Sequence, residues 1–127
     1  MDKKIIHTDH APKAVGPYSQ AVMVGNVLYC SGQIAINPVN NEVMKVGVKE
    51  QTHQVMQNIE AVLKQAGLNL SNIVKTTIFV TDMNDFATVN EVYASYLQTP
   101  YPARSTVGVA ALPKGVNVEI EVVAIKF

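Results

Sequence analysis

The sequence predicts an α+β fold, a single mixed β-sheet with two helices on one face. Three patterns carry that prediction. Apolar residues recur at helical spacing in two stretches, around 48–66 and 86–97. Several other stretches are rich in β-branched residues or alternate with period two. Their order is strands, helix, strand, helix, two strands, which layers both helices against one sheet and leaves its other face bare.

The elements follow in chain order. Ile5-Ile6 forms a short extended piece, followed by Ala11-Pro12-Lys13. His7 and His10 are spaced as a helical metal pair would be, but Ile5-Ile6 and Pro12 oppose a helix there, so no metal site is expected. Ala14–Gln20 is rich in turn residues, and Gly16-Pro17 sets a bend before Tyr18. A tyrosine there either fills space or holds its hydroxyl over a site. Ala21–Val24 and Val27–Ser31 form a hairpin across Gly25-Asn26, and the second strand runs on through Ser31-Gly32-Gln33-Ile34. A glycine inside a strand marks close approach by something else. Cys30, mid-strand, reads as a small buried hydrophobe. Asn37-Pro38 and Asn40-Asn41 form a loop. Val48, Thr52, Val55, Met56, Ile59, Val62, Leu63 and Ala66 make one helix stripe, with Gly67 as its C-terminal cap. His53 beside that stripe reads as structural. Ile73–Thr81 is a buried strand. Asp82 or Asn84 caps a second helix, with Phe86, Val89, Tyr93, Tyr96 and Leu97 as its stripe. That helix ends before Thr99-Pro100.

Composition narrows the class. The 127 residues suit one domain, residues 1–127, large enough for a core without disulfides. Hydrophobic residues make up 48% and charged ones 16%, low beside the roughly 25% charged of an average soluble protein. So few charges, with a sheet face left bare, predict burial against other copies of the chain, although a compact monomer with a generous core also fits. Zero formal net charge and the lack of a basic run give no footprint for nucleic acid. No stretch is apolar enough to span a membrane. Met1-Asp2-Lys3-Lys4 leads into no secretory core, and one cysteine fits a reducing cytoplasm. The glycine-rich phosphate loops, C-x-x-C and H-E-x-x-H are absent, which excludes the usual parts for nucleotide, nicotinamide and zinc chemistry.

The most informative stretch runs from Pro102 to Glu121. Arg104 follows a proline at a strand start. Leu112-Pro113-Lys114-Gly115 breaks the alternation, and Glu119 and Glu121 recur on one face of the strand after it. If the break is a tight turn, Arg104 and a glutamate come together, a pairing suited to a small carboxylate-bearing substrate. Without more, such an arginine is usually a solvated or interface residue.

Together, G-P-Y-S-Q, Y-C-S-G-Q-I, K-T-T-I-F-V-T-D-M-N-D-F, N-E-V-Y, P-A-R-S, L-P-K and V-E-I-E resemble the Rid (YjgF-type) family of reactive intermediate deaminases across essentially the whole chain. The resemblance implies a chorismate-mutase-like subunit in a homotrimer, the sheets forming a central barrel with ligand clefts at the subunit interfaces. It implies hydrolysis of 2-imino acids, or their enamine tautomers, to 2-oxo acids and ammonia, with 2-iminobutanoate and 2-iminopropanoate as substrates and no cofactor or metal. Arg104 then matches the carboxylate-binding arginine and Glu119 the glutamate that handles water and the leaving amine. Tyr18 lines the cleft, Ser31 and Gly32 let backbone approach the ligand, and Asn90 faces the pocket from a helix. Thr106 stands where many members have cysteine and offers its backbone amide. Glu121 reads as an interface or surface ion-pair residue. Relatives of this kind also imply rivals: a regulatory or chaperone-like protein that binds small acids in the same cleft, or a ribonuclease, which the neutral charge disfavours.

Overall fold

The computed structural model describes residues 2–127. Its strands are β1 (Lys3–Ile6), β2 (Ala21–Val24), β3 (Val27–Cys30), β4 (Ile36–Asn37), β5 (Glu42–Val43), β6 (Ile73–Val80), β7 (Ala103–Gly108) and β8 (Val118–Ile125). Its helices are α1 (Val48–Gln65) and α2 (Phe86–Ser95). Six strands form one mixed sheet in the order β1-β2-β3-β8-β6-β7, in which only the β6–β7 pair is parallel. The α+β class with two helices is therefore observed. The predicted loop at 37–41 is the tip of a separate small ribbon, β4 with β5, whose two-residue strands are too short for a pattern to reveal.

The alternation in β8 shows how the sheet is used. Val118, Ile120, Val122 and Ala124 are buried, while Glu119, Glu121, Val123 and Ile125 face the other way and are half-buried or exposed. The buried face packs on Val55, Met56, Ile59, Val62 and Leu63 of α1 and on Val89 and Tyr93 of α2. Fully burying one such aliphatic side chain contributes about 1.5–3 kcal/mol, so this layer is the main stabilising contact of the fold. α1 stops where its sequence says it should. Gly67 takes a φ of 78°, and Leu68 N–H bonds back to Leu63 C=O at 2.8 Å, closing a Schellman cap. Asp82 accepts from Asn84 N–H at 2.9 Å and starts a short 3₁₀ turn that leads into α2.

Among the described residues, no helix covers the opposite face of the sheet. Ile5, Tyr29 and Val107 are exposed there, beside half-buried Val22, Phe79 and Val123.

One expectation fails. β7 and β8 are not a hairpin, because β6 lies between them. β7 takes the parallel edge of β6 and β8 its antiparallel edge, so residues 109–117 cross over the end of β6. The Pro113–Gly115 turn, with Lys114 at φ 58° and Gly115 at φ 72°, only redirects the chain within that crossing.

Candidate active site

Two clefts hold most of the residues singled out in the sequence, and they lie on opposite faces of the sheet. Arg104 stands opposite Thr76 of β6, on the helix-covered face. Glu119 stands opposite Phe79, on the open face. Two strand spacings and three residues along the sheet put their Cα atoms roughly 14 Å apart. Within one chain the two side chains cannot meet, which corrects the expectation drawn from the turn.

The Glu119 cleft is lined by Tyr18, Ser31, Gly32, Lys13, Lys114 and Glu121 among others. Its shape comes from a bulge. Tyr29 pairs with Val123, but Gln33 pairs with Ile120 through bonds of 2.9 and 3.1 Å, so four steps on one strand oppose three on the other. The extra residue swings Gly32 over Glu119. A Cβ on Gly32 would lie 2.1 Å from the Glu119 Oε2. The in-strand glycine thus makes room for the carboxylate, in addition to whatever a ligand needs.

Ser31 ties the tyrosine segment down. Its hydroxyl donates to Ser19 C=O at 2.6 Å and its N–H to Gln20 C=O at 2.9 Å. Gly16, at φ 131°, allows the tight turn in which Tyr18 N–H bonds to Gly16 C=O at 2.9 Å, leaving the Tyr18 ring exposed at the cleft. Gln20 is a residue that sequence reasoning missed. Its buried amide accepts from Thr8 N–H at 2.7 Å and donates to Thr8 C=O at 3.0 Å and Pro12 C=O at 2.8 Å, fixing the segment that forms one cleft wall. At the far end, Gln51 and Asn117 bond reciprocally at 2.8 and 2.9 Å and set the start of β8, two residues before Glu119.

Burial, and after it the negative charge of Glu121, hold the Glu119 carboxyl above its ordinary range. Such a group takes and releases protons closer to neutral pH than a free carboxylate does.

The second cleft is lined by Asn90, Tyr93, Ala94, Tyr101, Pro102 and Arg104. The Arg104 Nη1 donates to Asn90 Oδ1 at 2.6 Å. Among the described residues the one ion pair is His7–Asp9 at 3.2 Å, so no carboxylate neutralises Arg104. Thr106 shares Arg104's face of β7, two residues on, and lines neither cleft. Two wider grooves, one along α1 past His10 and Lys64 and one beside Tyr96 and Phe127, contain none of the predicted site residues.

Cys30 is buried, and burial pushes its thiol up to about 12, which suits a core residue rather than a nucleophile. His53 bonds the Tyr96 hydroxyl at 2.9 Å between the helices, a structural contact.

The family description Endoribonuclease L-PSP matches residues 8–126. The chain belongs to this family, the Rid (YjgF-type) family. Among its L-PSP/Rid relatives, the 2-iminobutanoate/2-iminopropanoate deaminase of Bos taurus is 48% identical over 124 residues, covering 98% of this chain and 90% of the relative. The solved structure of the Rid-family protein YyfA from Yersinia pestis superposes with a TM-score of 0.96 at 52% identity, covering 98% of this chain and 100% of that one. The structure of Escherichia coli TdcF with bound serine gives 0.93 at 45% identity, covering 98% and 99%. No described helix is long and apolar enough to cross a membrane.

Proposed function

We propose that this protein is a 2-iminobutanoate/2-iminopropanoate deaminase, a metal- and cofactor-independent hydrolase acting on C=N bonds. Its active site is completed between copies of the chain in a homotrimer, with cytoplasmic 2-imino acids as substrates. The observation that carries the reading is the split site. A cation with free donors and a carboxyl of raised proton affinity stand on opposite faces of one sheet, each at a cleft open to solvent. One chain supplies both halves of a catalytic pair but cannot join them. A second copy laid on the bare sheet face brings its Arg104 cleft to the first copy's Glu119. Packing three such faces into a barrel would also cover Tyr29, Phe79, Val107 and Val123.

The chemistry follows from the two halves. The Arg104 guanidinium grips the substrate carboxylate through paired N–H bonds and is kept in place by Asn90. The imine carbon then lies toward Glu119. The Glu119 carboxylate takes a proton from water as the water oxygen bonds to that carbon, the C=N electron pair moves to nitrogen, and Glu119 passes the same proton to that nitrogen. The carbinolamine collapses as Glu119 takes its hydroxyl proton and hands it to the amine, the C=O bond forming while the C–N bond breaks and ammonia departs. The sum is imine plus water to 2-oxo acid plus ammonia. Tyr18 and the Ser31–Gly32 backbone line the cleft floor, while Thr106, outside both clefts of one chain, could offer its amide to the carboxylate only in the assembled trimer. The bovine relative's name supports the substrate class, and the serine bound to TdcF supports a site for small amino-acid-like carboxylates.

RNA cleavage, the activity in the family's description, finds little support in a chain with zero formal net charge and no basic run. A small-acid sensor would need Arg104 but not a carboxyl held above its usual range.

The test generates 2-iminobutanoate from threonine with a threonine dehydratase and traps it with semicarbazide. The protein should lower semicarbazone formation, and Arg104→Ala should abolish the effect. No drop with folded protein would favour a binding role for the cleft.

A further inference from the structure

We infer that Phe86 and Tyr93 are positioning residues that hold the Arg104 guanidinium in its anion-binding pose, an inference that rests on the carboxylate-binding reading of Arg104. Phe86, Asn90 and Tyr93 are spaced four and three residues apart on α2, so they share one face of that helix. Arg104 lies against that face. Its guanidinium carbon is 5.3 Å from the Phe86 ring centroid and 5.4 Å from that of Tyr93, both within cation–π range. Asn90 adds the single hydrogen bond.

The partners are all electrically neutral, and this decides their role. A carboxylate partner would fix the arginine but cancel its charge and occupy its fork. An aromatic face attracts the cation without accepting a strong hydrogen bond, and Asn90 takes one donor. The charge and the other N–H groups stay available for an incoming anion. The bracket is itself anchored. The Tyr93 hydroxyl donates to Thr76 Oγ1 at 2.9 Å, both residues are buried, and Thr76 is Arg104's register partner across β6 and β7. The strand that carries the arginine and the ring that braces it are therefore referenced to the same threonine. Arg104 is exposed, and without the bracket its long side chain would sample many rotamers and lose that freedom on each binding event.

The test is a double-mutant cycle on the full chain, read as 2-oxobutanoate affinity by ligand-observed NMR, which reaches millimolar values, with melting temperatures alongside. Phe86→Leu keeps an apolar side chain and should weaken 2-oxobutanoate about three- to tenfold. Tyr93→Phe keeps the ring, removes only the hydroxyl, and should weaken it about two- to threefold through loss of the Thr76 anchor. In an Arg104→Ala background neither change should weaken binding further. The neutral 2-oxobutanamide should bind parent and variants alike. Parent-like affinity in both variants, or the same loss with and without Arg104, would overturn the bracket while leaving the carboxylate clamp standing. Unchanged binding in Arg104→Ala alone would overturn the clamp and the bracket with it.

Discussion

Substituting Gly32 with alanine should disable the proposed imine hydrolysis while barely touching the fold. The new methyl carbon would lie 2.1 Å from Glu119 Oε2 and 2.9 Å from its Cδ. A carbon–oxygen contact relaxes near 3.2 Å, so the carboxylate must retreat by roughly 1 Å, a misplacement that costs on the order of 100-fold in rate. That corresponds to about 2.7 kcal/mol of transition-state stabilisation. Stability responds differently. Gly32 is not among the positive-φ glycines, so alanine fits its backbone. Loss of unfolded-chain freedom stabilises by about 0.4–1 kcal/mol, and pushing aside the end of a flexible side chain costs a comparable amount. The net change should stay within about 1 kcal/mol, or about 5 °C in Tm. Imine-hydrolysis kinetics and a melting curve on the same preparation separate the two effects. In a Glu119→Gln background the alanine should cause no further loss. Parent-like kcat/KM in Gly32→Ala would refute the idea that this glycine reserves the carboxylate's space.

Other consequences are equally direct. The Glu119 carboxyl is held high first by burial and then by Glu121, so the folded chain binds that proton more tightly than the unfolded one. Ionisation therefore costs stability as pH rises from the ordinary value of 4.5 through the folded value. Glu119→Gln should be more stable than the parent at pH 7.5, with the difference closing toward pH 4 in denaturant titrations. A difference that grows on acidification would mean a neighbouring cation outweighs burial. Arg104→Lys keeps the charge but loses the planar fork and its stacking, and should raise KM about 30- to 100-fold with a smaller change in kcat. An unchanged KM would show that charge alone suffices. Cys30, buried with its thiol at about 12, should resist a disulfide reagent at pH 8 until the chain is unfolded; rapid labelling of native protein would contradict its core placement.

Local patterns were legible in the sequence, and non-local ones were not. The α1 stripe, its Gly67 cap and the Gly25-Asn26 hairpin each depend on residues within a turn or two of one another, and all appear as read. The two faces of β8 follow from alternation alone. The position of β6 between β7 and β8 does not, because strand order is decided by which edges pair after collapse. For the same reason the sequence suggested that Arg104 and Glu119 meet, whereas alternation and pairing put them on opposite faces. Gly32 stands out in the sequence as an in-strand glycine, but its use depends on the one-residue bulge between Tyr29 and Gln33, which pairing alone creates. By spacing, Phe86 and Tyr93 belong to the core stripe of α2. Only the packing of α2 over β7 reveals that they also brace Arg104, and nothing in their spacing distinguishes the two uses.

The claim that one active site draws Arg104 and Glu119 from different copies is tested most directly by subunit mixing. Arg104→Ala and Glu119→Gln are purified separately, shown to be inactive, unfolded together in equal amounts and refolded. If each site takes its arginine from one copy and its glutamate from the next, random assortment in a ring gives an intact pair at about a quarter of the sites. The mixture should then recover about a quarter of parental imine hydrolysis. Activity no higher than the two variants alone, in a mixture shown to have exchanged subunits, would contradict the shared site.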